Sequence, residues 1–293
     1  KRAVFPQSFF YYVYKSLFFV GGMSLFIASL NSGSNGNCYY VGNGKDAVLI
    51  DVGISCREVE RRMRLLNLSM RTIRAVFISH EHTDHIRGIT ALSRRYQLPV
   101  YITAATHDNR VLIDKHLIVN FNSGDKIEVE GLQVTAFAKH HDANDPQSFV
   151  VEGNGTTIGV FTDIGIACEQ LTYHFSKCHA AFLEANYDIE MLENGPYPIY
   201  LKNRIRGGKG HLSNSQALEV FCSHRPAHMT HLLLAHLSKD NNHPDKALEL
   251  FAPYRNGVNV SVASRYEPSQ VYHINADSGH ASRVKAVQAS LFG

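Results

Sequence analysis

Residues 73–89 read IRAVFISHEHTDHIRGI, and the way this stretch divides decides the fold. Its first seven residues form a short apolar run of the kind found in a buried strand. The run stops abruptly at HEHTDH, which offers His80, His82, Asp84 and His85 within six positions. Side chains at i and i+2 fall on different faces of a helix, so this segment is a loop able to wrap an ion. Imidazole and carboxylate together suit Zn²⁺, with Mn²⁺ or Fe²⁺ as alternatives. The bland reading is a chance group of histidines on a polar loop, and the placement at a strand end argues against it.

Upstream, strands are expected over 24–30, 37–42 and 46–51, separated by Gly, Asn and Ser. A helix then opens at Ser55 and Glu58, a capping-box spacing, and puts Val59, Met63 and Leu66 on one face. Downstream, Ile86, Ile89, Leu92 and Tyr96 keep helical spacing, and LPVYIT (98–103) reads as another strand. The second half repeats this style. KIEVEGLQVTAFAK and SFVVEGNGTTIGVFTD are hairpin-like, HAAFLEAN and HLLLAHLS are buried strands, and SNSQALEVFCSH and PDKALELFAPY are helices. VNVSVAS is expected as the last core strand. Two sheet-rich halves with helices outside predict an α/β fold, a four-layer αββα sandwich, with no linker between two domains. The domain is assigned to residues 23–274, preceded by an extension at 1–22 and followed by a tail at 275–293 that reads as a loosely attached helix.

With 293 residues, 44% of them hydrophobic, the chain can bury one large core. A net charge of +3 is too weak by itself to argue for nucleic acid, and the count of 17 histidines is the more unusual figure. Five dispersed cysteines without a CxxC pair argue against a disulfide framework and for a reducing, cytoplasmic setting. The opening segment, basic and then apolar, mimics a secretory signal. Lys15 interrupts it, and Leu17 to Leu30 falls short of the ~20 residues that a spanning helix needs, so no membrane partner is expected.

The HxHxDH pattern of HEHTDH resembles the signature of the metallo-β-lactamase superfamily. That resemblance implies three further ligands at the ends of later strands: a histidine, an aspartate and a histidine. AKHHDANDP, GVFTDIG and LLLAHLS supply them in that order. Asp163 and His236 match directly. His140 and His141 form a doublet, from which His141 is taken because it precedes the "DA" typical of relatives. By the same resemblance, His80, His82 and His141 hold one divalent ion and Asp84, His85 and His236 a second, with Asp163 bridging. Asp51, in LIDVG, organises the site without binding metal. Two ions so held polarise the oxygens of an in-line displacement, and Asp84 orients the attacking water.

FLEANYD and GGKGHLSN resemble segments of tRNase Z-type phosphodiesterases, which implies Glu184 as a supporting carboxylate and His211 as general acid. Ser213 and Gln216 also have capping-box spacing, so the same stretch starts a helix; a histidine there lies where anions bind. Lys202, Arg204, Arg206 and Lys209 precede His211 in what reads as a basic, flexible loop suited to a phosphate backbone, or as a solvated face. Ser34 and Asn35, in NSGSNGN, are candidates for backbone contacts to phosphate, or simply part of a hairpin turn. Over about residues 24–274 the chain resembles the YycJ/WalJ-like subfamily, through SLNSGSNGNCYYVG, HEHTDHIRGI, HHDANDP, GHLSN and LAHLSKDNNHPDKALEL, followed by VASRYEPS. Tyr187 departs from it, standing where relatives often carry histidine. The resemblance implies a two-metal phosphodiesterase acting on nucleic acid, DNA rather than RNA, as a 5′→3′ exonuclease. The rival readings are a cyclic phosphodiesterase or thioesterase on the same fold, and a regulator that binds metal without turnover.

Overall fold

The computed structural model describes residues 24–107 and 112–276. The segments assigned to an extension (1–22) and, from residue 277, to a tail lie outside the described residues.

Strands β1 (Ser24–Asn31), β2 (Cys38–Gly42), β3 (Ala47–Ile50), β4 (Ile73–Phe77), β5 (Val100–Ile102), β6 (Ile118–Asn120) and β14 (Tyr272–Asn275) form one seven-stranded sheet, in the order β14-β1-β2-β3-β4-β5-β6. The second sheet holds β7 (Lys126–Val129), β8 (Leu132–Ala138), β9 (Gln147–Gly153), β10 (Thr156–Phe161), β11 (Ala180–Glu184), β12 (His231–Ala235) and β13 (Asn259–Val262). Its order is β13-β12-β11-β10-β9-β8-β7. Each sheet begins with antiparallel strands, β1 to β3 and β7 to β10. Each then continues with parallel ones. Parallel neighbours need a crossover, and in the second sheet helices supply it.

Alternation along the strands sorts side chains into three apolar layers. Leu25, Ile27, Val48 and Ile50 face the other sheet and meet Phe149, Phe182 and Leu233. Ala28, Leu30, Ala47 and Leu49 point the opposite way, onto Val59, Met63 and Leu92 of the outer helices. On the far side, Phe161, Leu183 and Leu234 pack against Phe175, Phe221 and Phe251. The result is the expected αββα sandwich.

The structure differs from the sequence reading in four places. The helix expected through Ile86 and Tyr96 is two helices, Thr83–Ile86 and Ile89–Tyr96, because Gly88 N donates to Val52 O. VNVSVAS is not the last strand: β14 pairs antiparallel with β1 and buries Tyr272 and Ile274, carrying strand structure one residue into the assigned tail. The basic run is not a flexible loop. Lys202, Arg204 and Arg206 lie in a helix, Ile199–Arg206, whose Leu201 and Ile205 pack with Tyr187 and Leu192 in a small satellite core. Finally, Ser55 Oγ caps Glu58 N at 3.3 Å, but the Glu58 carboxylate turns to Arg61 and Arg62 instead of completing the box. The box at Ser213 and Gln216 is complete.

Arg62 ties the helix Cys56–Leu65 to the first sheet. It is 6% exposed and donates to Leu30 O (2.7 Å), Tyr266 O (2.8 Å) and Glu58 Oε1 (2.6 Å). Replacing Arg62 by Met strips two carbonyls of their donor and is expected to cost about 1–3 kcal/mol of unfolding free energy. Arg61 and then Arg62 hold the Glu58 carboxyl at about 2 against the opposing pull of desolvation. A depressed folded value stabilises above the unfolded pKa of ~4.3 and loses that contribution as pH falls toward the folded value. Thermal melts should therefore separate the wild type from Glu58→Gln at pH 6 and bring them together near pH 2.

Candidate metal centre

The site residues gather where strands of both sheets end at one rim of the sandwich. Asp51 follows β3, His80 follows β4, His141 follows β8, Asp163 follows β10, Glu184 ends β11 and His236 follows β12. Three of these take left-handed backbone conformations without being glycine: Asp51 (φ 60°), Asp163 (φ 55°) and His236 (φ 56°). That conformation is costly for such residues and persists where the surroundings enforce it. Asp51 N is held by Phe77 O at 2.8 Å and His236 N by Ser32 Oγ at 2.7 Å. Gly53 permits the HTDH turn to close on the chain: a Cβ at this position would lie 1.6 Å from Asp84 O.

Ligand atoms of His80, His82 and His141 lie within 4.8 Å of one another, as do those of Asp84, His85 and His236, and those of His80, His85 and Asp163. His141, not His140, is the buried member of the doublet. Among the described residues, Nε2 of His80, His141 and His236 and Oδ2 of Asp163 are buried without a hydrogen-bond partner. Buried polar atoms are rarely left so in proteins, and this set fits divalent cations. The opposite ring nitrogens are all engaged. His80 Nδ1 meets Ser79 Oγ (2.9 Å), His85 Nδ1 meets Asp51 Oδ2 (2.7 Å), His141 Nδ1 meets Gly210 O (3.1 Å) and His236 Nδ1 meets Glu184 Oε1 (2.8 Å). Such partners fix the tautomer that turns Nε2 toward a metal.

The electrostatics follow from packing acids and imidazoles together away from water. Burial pushes the His80 imidazole well down and His141 to about 4. Burial also opposes charge on His236, but the carboxylates of Asp163, Asp84 and Glu184 around it raise it to about 10. Glu184, despite burial, is held at about 2 by His211 and His236. Lys139 is buried beside this cluster and donates to Thr162 O at 2.7 Å; desolvation lowers its ammonium below the ordinary value.

His211 Nδ1 lies 2.8 Å from the same Glu184 Oε1 that meets His236. The other carboxylate oxygen, Oε2, accepts from Ile164 N (2.7 Å) and Leu212 N (3.1 Å). Above this floor an open cleft of about 750 Å³ is walled by Glu81, His82, Asp84, His141, Asp142, Arg204 and Lys209. A deeper recess is lined by Ser34, Asp163, Asn186, Tyr197, His211 and His236 among others.

The substrate-binding candidates divide. Arg204 and Lys209 line the cleft and Ser34 lines the recess, whereas Lys202, Arg206 and Asn35 line neither. Lys202 Nζ is bonded to Glu193 O, Arg206 to the Glu193 carboxylate, and Asn35 Nδ2 to Arg265 O. Arg204 is itself paired with Asp142 at 2.6 Å. Three supporting residues escaped the sequence reading. Ser79 bridges Asp51 and His80; Asn37 Nδ2 lies 3.2 Å from Asp84 Oδ2 and 3.1 Å from His85 Nε2; Asn186 donates to His236 O at 2.7 Å. Ser79 was findable as the hydroxyl directly before HEHTDH, whereas Asn37 sat in a stretch that reads as turn.

A family model described as beta-lactamase superfamily domain matches residues 46–236. The exodeoxyribonuclease YycJ of Bacillus anthracis is 33% identical over 228 residues, covering 75% of this chain and 85% of that protein. The exodeoxyribonuclease WalJ of Streptococcus pneumoniae is 30% identical over 219 residues, covering 73% and 81%. Among solved structures, the metallo-β-lactamase fold protein YhfI from Bacillus subtilis superposes with a TM-score of 0.66 at 17% identity, covering 85% of this chain and 99% of that one. Among the described residues no helix is long and apolar enough to cross a membrane.

Ser79 provides a clean test of the supporting layer. Its hydroxyl donates to Asp51 Oδ2 at 2.8 Å and also meets His80 Nδ1, so Ser79→Ala leaves both under-supported. Competition against a chromophoric chelator should show Zn²⁺ affinity lowered by about 10–100-fold, the usual effect of losing an outer hydrogen-bond partner of a ligand.

Proposed function

The chain belongs to the metallo-β-lactamase superfamily as a metal-dependent hydrolase, and from that premise we propose that it is a two-metal phosphodiesterase acting on DNA as a 5′→3′ exonuclease. The observation that carries this reading is the Glu184–His211 pair, 2.8 Å apart and set at the wall of the same recess as the metal-ligand cluster. A thioester releases a thiolate that needs no proton donor; a phosphodiester releases an alkoxide that does. The two relatives named exodeoxyribonucleases support DNA as the substrate. The five cysteines are unpaired, which suits a cytoplasmic setting.

In this reading His80, His82 and His141 hold one ion, Asp84, His85 and His236 hold the other, and Asp163 reaches both groups. Its Oδ2 lies 3.2 Å from His85 Nε2 and its Oδ1 3.8 Å from His141 Nε2. When bound, the ions, Zn²⁺ or Mn²⁺, supply Lewis acidity toward the phosphoryl oxygens and lower the pKa of water. Asp84 has a carboxylate oxygen 3.5 Å from both His85 Nε2 and His236 Nε2, and it orients the attacking water. Glu184 Oε1 accepts a hydrogen bond from His211 Nδ1–H and so fixes the ring, leaving Nε2 to face the recess. From Nε2 His211 delivers a proton to the departing oxygen, and it is reset from solvent. Lys209 receives the phosphate backbone at the cleft wall, where Arg204 is already paired with Asp142.

The test is a substrate panel run with Zn²⁺ and with Mn²⁺: labelled single- and double-stranded DNA, RNA, bis-p-nitrophenyl phosphate and a thioester. DNA cleavage from the 5′ end is expected. His211→Ala should lower kcat on DNA by about 10²–10⁴-fold and lower it far less on bis-p-nitrophenyl phosphate, whose p-nitrophenolate leaves without a proton. Thioester turnover with no nucleic-acid cleavage overturns the reading.

A further inference from the structure

The cations of the basic helix are largely spoken for. Arg204 is held by Asp142 and Arg206 by Glu193, and Lys202 is bonded to Glu193 O. Behind the opposite rim, bonded to Ser34 and Leu237 and itself outside the residues that line the recess, stands a cation that sequence reasoning gave no role. Arg265 is half-buried, and among the described residues it has no carboxylate within ion-pair distance. Its Nη2 is bonded to Leu237 O (3.0 Å) and Ser34 Oγ (3.2 Å). Nε and Nη1 have no partner among the described residues, leaving three N–H donors free.

The location matters as much as the charge. Ser34 lines the deep recess, and Leu237 sits between His236 and Ser238, which line it too. The guanidinium is thus fixed by the rim residues themselves. Space for it is made by Gly33: a Cβ there would stand 2.7 Å from Arg265 Nη2, and the residue's φ of +141° disfavours any other side chain. The 33–36 turn also grips the arginine's backbone through Asn35 Nδ2 to Arg265 O at 2.9 Å, and Ser32 N holds the preceding carbonyl, Ser264 O, at 3.1 Å. Asp240, the acid whose charge acts on it, makes no ion pair with it among the described residues and is bonded to Tyr197 Oη at 2.7 Å. A guanidinium already stripped of part of its water, with a fork of donors free and no acid paired to it, is built to receive a multivalent oxyanion.

We propose that Arg265 binds a phosphate of the nucleic-acid strand next to the scissile one, on the His236 side of the centre. This rests on the phosphodiesterase reading and sharpens it. With Lys209 on the far wall, the site takes a chain with phosphates on both sides of the cut, and it disfavours a cyclic nucleotide or any substrate with a single phosphate. Arg265 is a substrate-binding residue in this assignment, with no part in bond cleavage.

The decisive experiment removes the charge from each side of the contact in turn. Single-stranded oligodeoxynucleotides carrying one neutral methylphosphonate, walked along the first linkages from the 5′ end, are measured by fluorescence anisotropy and by KM against the wild type and Arg265→Met. One linkage should weaken binding to the wild type by about tenfold and make no difference to Arg265→Met, which is already weakened to the same extent. For one lost contact to a single strand, the slope of log affinity against log salt should fall by about 0.7. Arg265→Lys should keep that slope while losing part of the affinity, because an ammonium keeps the charge but not the fork. Metal content and melting temperature of each variant report collapse of the Ser34 turn, and the methylphosphonate walk on the wild type needs no variant at all. If every methylphosphonate is tolerated, or if substrate and protein changes add independently, the Arg265 assignment fails while DNA cleavage stands. If the wild type neither binds nor cuts DNA, the phosphodiesterase reading itself has failed.

Discussion

Glu184 is a carboxylate with no exposure to solvent, and four donors converge on it: two backbone amides and two imidazoles. An isolated buried carboxylate would cost several kcal/mol in lost hydration. Saturating both oxygens offsets that cost and keeps the group ionised, which is why its carboxyl is held at about 2. The sharing has a chemical result. One oxygen orients His236, assigned to metal, and His211, assigned to the leaving group, so ligand and proton donor cannot shift independently. The amides of Ile164 and Leu212 place that carboxylate relative to Asp163 and His211, their neighbours in sequence. Much of the recess is organised around this one side chain.

The strained turns at Asp51, Asp163 and His236 belong to the same design. At a strand end a left-handed residue redirects its side chain out of the sheet's alternation and over the rim. The first sheet contributes Asp51, His80 and His85 and the second contributes His141, Asp163, Glu184 and His236, so the centre exists only at the seam. The apolar layer beneath it, with Phe77 against Phe149 and Tyr39 against Phe182, sets the spacing of the two rims.

Much of this was legible in the chain. HEHTDH announces itself because four ligand side chains crowd six positions, and the sandwich follows from apolar runs punctuated by Gly, Asn and Ser. Legibility ends where tertiary pairing decides. β14 is four residues long with alternating burial, too short to stand out from coil. The helix Ile199–Arg206 reads as a basic loop because its only apolar anchors, Leu201 and Ile205, pack on a satellite core that sequence cannot reveal. The value of a cation was hidden for the same reason. Arg204 and Arg206 look like ligands for phosphate until their acid partners, distant in sequence, come into view. Arg265 looks ordinary until its lack of one does.

The position of β14 also bears on how the molecule comes into being. The first sheet is completed by residues 272–275, which close against β1 at residues 24–27. A ribosome therefore releases nearly the whole domain before its opening strand gains its outer neighbour. Through that interval β1 presents an open edge, and the inner face of the first sheet waits for the second sheet to be made. Such edges recruit foreign strands. The last of the described strands thus acts as a seal on assembly, and a nascent chain stalled before it would be the form most in need of a chaperone.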